Sequence, residues 1–137
     1  MNRSVLRGLL IKHEGLSTQV YRDTVGKLSI GCGRNLDDVG ISTDEAMVLL
    51  DNDINRIVAA LTSHVACFGS LDATRQHVLV DLAYNVGIAG LLHFTKMLAA
   101  VEARDFVAAA TEMLASRWAQ QVPTRAEELA GMMQRGV

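Results

Sequence analysis

Glu14, Asp23 and Ser29 fall within one short run, Lys12-His-Glu-Gly-Leu-Ser-Thr-Gln-Val-Tyr-Arg-Asp-Thr-Val-Gly-Lys-Leu-Ser-Ile-Gly-Cys-Gly33. A protonated carboxyl can deliver a proton to a leaving oxygen, a second carboxylate can act as base or stabilise positive charge, and a hydroxyl can hold water. Such a set can hydrolyse a glycosidic bond with neither metal nor cofactor. In an inverting reaction the two carboxyls stand roughly 6.5–9.5 Å apart, with the attacking water between them. Spacing along the chain permits this separation without fixing it.

Taken singly, each residue has a plain structural explanation. Most glutamates are exposed, and Glu14 could pair with Lys12 or His13. Aspartate in a turn commonly bonds nearby backbone amides, and a serine alternating along a strand is ordinarily an outward-facing hydroxyl. Glu14 is the least comfortable of the three. At the end of a helix a negative charge meets the negative end of the dipole, at a cost of roughly 0.3–1 kcal/mol when exposed.

Hydrophobic periodicity supplies the elements that would position these groups. Val5, Leu6, Leu9 and Leu10 mark a helix over about 3–14, and Gly15 is placed to cap it. Val20 to Arg22 and Lys27 to Cys32 read as two short strands around the turn Asp23-Thr-Val-Gly26. Ser42-Thr-Asp-Glu45 is a capping-box pattern opening a long helix to about residue 65. Beyond Gly69 everything reads as helical. Leu71 to Val86 is the most apolar segment and should stop at Gly87. Helices over Gly90–Ala103 and Asp105–Ser116 follow, and a last one begins near Pro123.

At 137 residues the chain suits one domain. Thirteen Lys and Arg against fifteen Asp and Glu leave a net charge of −2, which disfavours a polyanion such as nucleic acid as partner. Long-range electrostatic steering should accordingly be weak, and activity should respond little to moderate salt. No apolar run is long enough to span a bilayer, and the N-terminus, with Arg7 and Lys12 bounding its apolar stretch, lacks the look of a secretion signal. The expectation is a chain made and folded in a cytoplasm. Cys32 and Cys67 suit reduced, buried thiols. His13-Glu14 does not extend to a zinc motif, His64, His77 and His93 are dispersed, and Gly31-x-Gly33 follows no nucleotide-binding pattern, so neither metal nor cofactor is expected.

The segment Glu14-Gly-Leu-x4-Tyr-x-Asp-Thr-x-Gly-x2-Ser-Ile-Gly-x-Gly33 resembles the catalytic stretch of the phage-type lysozymes, typified by the T-even phage enzyme. The resemblance continues through Gly40-Ile-Ser-Thr-Asp-Glu45, Tyr84-Asn-Val-Gly87 and Ser116-Arg-Trp-Ala-Gln-Gln-Val-Pro-Thr-Arg125. It implies an α+β lysozyme-like fold: a reduced β-hairpin lobe over about 15–45, an inter-lobe helix over about 42–65, and a helical lobe from about 1–14 and 66–137. It also implies an endolysin that cleaves peptidoglycan between N-acetylmuramic acid and N-acetylglucosamine.

By the same resemblance Glu14 is the general acid and Asp23 the base or electrostatic stabiliser. Ser29 holds the water, Arg125 pairs with the glutamate, and Tyr84 and Asn85 line the saccharide site. The plain alternative for Tyr84 is packing on Trp118 beside a polar cap residue, and Trp118 itself reads as core. Without a signal peptide, the enzyme would reach the periplasmic wall through holin-type release or virion delivery.

Three departures bear on these roles. Ser29 stands where the family has threonine and loses the β-branch that restricts χ1. Arg34 stands where the family has histidine, and could pair with a carboxylate or contact the wall. The connection from Asn35 to Gly40 is shorter than in the T-even enzyme. Two other readings of the chain are a lytic transglycosylase on the same polymer and a non-catalytic wall-binding or virion module with a lysozyme fold.

Overall fold

In the computed structural model, which describes residues 1–137, the chain divides into two compact units, Met1–Val48 and Leu49–Val137. The fold is α+β, with seven helices and one three-stranded sheet.

The N-terminal unit opens with α1 (Arg3–Glu14). The Asn2 side chain accepts hydrogen bonds from the Ser4 and Val5 amides at 3.1 Å, satisfying two of the donors that a helix start leaves open. At the other end the Gly15 amide bonds back to the Ile11 carbonyl at 2.8 Å, so α1 ends as its cap predicts. Three antiparallel strands follow in the order β1 (Ser17–Arg22), β2 (Leu28–Gly31) and β3 (Arg34–Asn35). Tyr21 lies opposite Ser29 in the first pair, and Ser29 opposite Asn35 in the second. The first strand starts earlier than expected. The third was not anticipated, because two residues carry no alternation.

The unit's last element is the start of α2 (Thr43–His64), which continues into the second unit. Its capping box forms as the sequence implies. The Ser42 hydroxyl accepts from the Glu45 amide at 3.1 Å and donates to Glu45 Oε1 at 3.2 Å.

The hydrophobic core lies entirely in the C-terminal unit, between Ile57 and Met133. It is built by the rest of α2, a 3-10 turn at Phe68–Ser70, and five further helices. These are α3 (Ala73–Leu92), α4 (Thr95–Glu102), α5 (Phe106–Leu114), α6 (Arg117–Gln121) and α7 (Pro123–Arg135). Leu61, Leu79, Leu82, Leu91, Met97, Met113 and Met133 are fully enclosed. Gly87 does leave helical geometry, with φ 79° and ψ 162°, yet the chain resumes its helix to Leu92. Gly87 therefore kinks the helix and does not end it, because Leu91 beyond the break is buried in the same core. The five-residue α6 is too short to show a period. Its signal is the Ser116 cap, which accepts from the Ala119 amide at 3.2 Å. No single helix is long and apolar enough to cross a membrane.

Candidate active site

Glu14 is the last residue of α1 and is exposed. Its carboxylate lies against the tight connection between β2 and β3, beside Gly33.

Asp23 sits at the head of the β1–β2 turn. Its Oδ1 accepts hydrogen bonds from the Val25 and Lys27 amides, both at 2.9 Å, while its own amide bonds to the Lys27 carbonyl at 2.9 Å. The turn-building explanation thus accounts for one carboxylate oxygen. The other, Oδ2, is not used by the turn, and the two amides fix the direction in which it points.

This split makes the roles separable by mutation. Asp23→Asn keeps an Oδ1 acceptor for both amides and removes the charge. Asp23→Ala removes acceptor and charge together, leaving two amides without their partner at a further cost of about 1–2 kcal/mol. Denaturant melts should therefore show Asn near wild type and Ala well below it. A catalytic Asp23 requires both variants to lose activity, whereas a turn-builder alone would leave Asn fully active.

Ser29 lies at the centre of the sheet, paired on both sides, and is only 2% exposed. It is the one buried polar residue of the chain, so the outward-facing expectation for this hydroxyl is corrected. Strand side chains stand on the faces of a sheet, and the face that carries Ser29 is covered.

Arg34, at the family's histidine position, has a carboxylate partner in Glu45. Its Nη1 donates to Glu45 Oε2 at 2.6 Å and to the Gly40 carbonyl at 3.2 Å. The guanidinium therefore straps the short connection down onto the start of α2. The sequence had marked Glu45 as a capping residue, not as this partner. The hydrogen bond from Arg34 holds the Glu45 carboxyl below its ordinary value of 4.5, against the smaller effect of burial. A depressed folded pKa means that Glu45 stabilises the fold above about pH 4.5, and that this contribution disappears as pH falls through the lower folded value. Thermal melts between pH 3 and 7 should show wild type above Glu45→Gln at neutral pH, with the gap closing in acid.

The remaining site residues lie in the C-terminal unit. Asn85 Oδ1 accepts from Trp118 Nε1 at 2.6 Å, so that side of its amide is committed to packing. Trp118 is core, with the Phe94 ring 6.2 Å away at 79°. Tyr84 is 48% exposed and lines an apolar groove of about 550 Å³ together with Val80, His77, Asp81 and Arg125.

Within the C-terminal unit Arg125 pairs with Asp81: its Nη2 and Nε lie 2.6 and 2.8 Å from Asp81 Oδ1. Sequence reading missed Asp81. The available signal was a lone acid in the apolar run Val78-Leu-Val-Asp-Leu-Ala83.

The cysteines differ from each other. Cys67 is buried as expected, and burial, aided by Glu102, pushes its thiol up to about 11, so it stays protonated at neutral pH. Cys32 is exposed, a correction that follows from its place in a tight turn between two glycines.

Set against known proteins, residues 11–136 match the family model described as phage lysozyme. Among the relatives are two from Dictyostelium discoideum. Probable T4-type lysozyme 2 is 26% identical over 163 aligned positions that cover 97% of this chain and 95% of the relative. Probable T4-type lysozyme 1 is 23% identical over 162 positions, with the same coverage. The pre-baseplate central spike protein Gp5 of Enterobacteria phage T4 is 26% identical over 149 positions, which cover 88% of this chain and 26% of that protein.

Proposed function

The chain belongs to the phage lysozyme family, and we propose that it is an endolysin hydrolysing the β-1,4 bond between N-acetylmuramic acid and N-acetylglucosamine in peptidoglycan. It is a glycoside hydrolase, and the proposal concerns which bond is cut and by which groups. Glu14 donates a proton to the leaving glycosidic oxygen. Asp23, through the oxygen left free by its turn, acts on the other face of the sugar as base or stabiliser. Ser29 positions the water, and Arg34 supports the site from behind by holding the β3–α2 connection. Tyr84 offers an aromatic face of the type that packs against a sugar ring, with Asn85 held beside it by Trp118. Arg125 is a further supporting group, oriented by Asp81. The enzyme acts as a monomer at the periplasmic face of the wall, reached by holin-type release or within a virion.

The observation that best supports this reading is the Asp23 carboxylate, oriented by two amides through one oxygen and unengaged by the turn through the other. A turn alone would be served as well by asparagine. The test is mass analysis of purified murein after digestion. Hydrolysis yields fragments ending in a reducing muramic acid, whereas a transglycosylase yields anhydro ends lighter by one water. Anhydro ends as the sole product would overturn the proposed use of water.

A second reading, a lysozyme carried in the virion, is favoured by the likeness to part of a phage spike protein. Its signature is the chain's presence in purified particles.

A further inference from the structure

Gly31 and Gly33 flank Cys32 in the connection from β2 to β3, and both have left-handed backbone angles, φ +69° and +72°. Their surroundings differ. A Cβ added at Gly31 would meet nothing within 4 Å. One added at Gly33 would stand 3.2 Å from Glu14 Oε2 and 3.6 Å from both Cβ and Cδ of Glu14. The glutamate side chain therefore runs along the bare Cα of Gly33 from its base to its carboxyl.

We propose that Gly33 is a positioning residue: its missing side chain is the seat that fixes the direction in which the Glu14 carboxyl leaves α1. The proposal rests on the reading of Glu14 as proton donor. Glutamate has three side-chain torsions, and an exposed one ordinarily samples many rotamers. Within the N-terminal unit no hydrogen bond or ion pair involves the Glu14 carboxylate. Its orientation there is set by steric contact with the turn. Backbone is a firmer seat than a side chain, because it has no rotamers of its own. A proton donor misplaced by about 1 Å can lose about 10²-fold in rate, so a displacement of a few tenths of an ångström is enough to register.

The two glycines form a matched pair for the test. Gly31→Ala carries only the cost of a side chain at positive φ. Gly33→Ala carries the same cost and also pushes on Glu14. Both should lower the melting temperature by roughly 3–8 °C from backbone strain. In murein-cleavage kinetics well below the melting range, Gly33→Ala should lower kcat about 5- to 30-fold with little change in KM. The bulkier Gly33→Val should lower it about 100-fold or more. Gly31→Ala should stay within about threefold of wild type.

A thermal cycle tests the seat without activity. In a Glu14→Ala background the melting penalty of Gly33→Ala should shrink to that of Gly31→Ala. Equal kcat losses from the two alanine variants would overturn the proposal. So would a Gly33→Ala melting penalty that is the same with and without Glu14. Should the wild type fail to cleave murein, the donor reading of Glu14 falls, and the thermal cycle still decides whether the seat exists.

Discussion

Glu14→Gln should reduce the clearing of permeabilised Gram-negative cells by about 10³-fold while leaving the melting temperature within about 2 °C of wild type. The activity loss follows from removing the proton donor, since a positioned general acid contributes about 10²- to 10⁴-fold. The stability expectation has a separate basis. Glu14 is exposed, and substitutions at exposed positions usually change stability by less than about 0.5 kcal/mol. Its charge also faces the unfavourable end of the α1 dipole, so neutralising it tends to stabilise slightly. Glutamine nearly preserves the shape that lies over Gly33. A large loss of clearing with an unchanged melt is therefore the pattern of a chemical role. Equal clearing by both proteins would remove Glu14 from that role.

The largest expected effect on stability comes from Arg75, far from the chemistry in sequence and in purpose. Its side chain is only 14% exposed and pairs with Asp72 at 2.8 Å. Nε donates to the Met133 carbonyl at 2.8 Å, and Nη2 donates to the Gln134 carbonyl at 3.0 Å. The guanidinium also lies 3.5 Å over the centre of the Phe106 ring. One cation thus ties the start of α3 to the carbonyl-bearing end of α7, where positive charge is favoured.

The sequence around Gly136 accommodates this arrangement, because a Cβ there would come within 2.5 Å of Arg75 Nη1. Arg75→Ala leaves Asp72 and two carbonyls without their partner. A loss of about 2–4 kcal/mol, or roughly 6–15 °C in melting temperature, is expected by calorimetry. Arg75→Lys should recover only part of it, since an ammonium cannot match the planar fork. A change below about 0.5 kcal/mol for the alanine variant would show that these contacts contribute little.

What could be read from the sequence divides along physical lines. Helix ends were legible because their signals are local. The Ser42 capping box, the Gly15 cap and Pro123 at the start of α7 all stand where residue chemistry places them. The turn at Asp23 was legible for the same reason. Partners distant in sequence were not. That Arg34 meets Glu45, that Arg125 meets Asp81 and that Arg75 meets Met133 depend on how elements pack, and composition is silent on packing. Gly87 shows a middle case. Its conformational signal was correct, but the apolar residues beyond it carried the helix onward. The burial of Ser29 was not legible, because alternation tells which residues share a face, and not how closely that face is covered.

The placement of the core bears on how the two parts of the chain tolerate change. Between Met1 and Val48 only Ser29 is buried, and the sheet depends on turn hydrogen bonds at Asp23, Asp37 and Asn35. Amides there should exchange with solvent through small local openings, while those of α3 wait for larger ones. Mutations would then be filtered differently along the sequence. Changes in residues 15–41 can re-aim an acid or reshape a turn without disturbing the packed helices, so selection meets them first as changes in catalysis. Changes to the buried residues between Ile57 and Met133 are met first as changes in how much folded enzyme the cell retains. Changes in how the bond is cut would therefore be expected to arise in the early part of the chain, and tolerance for them in the buried core of the later part.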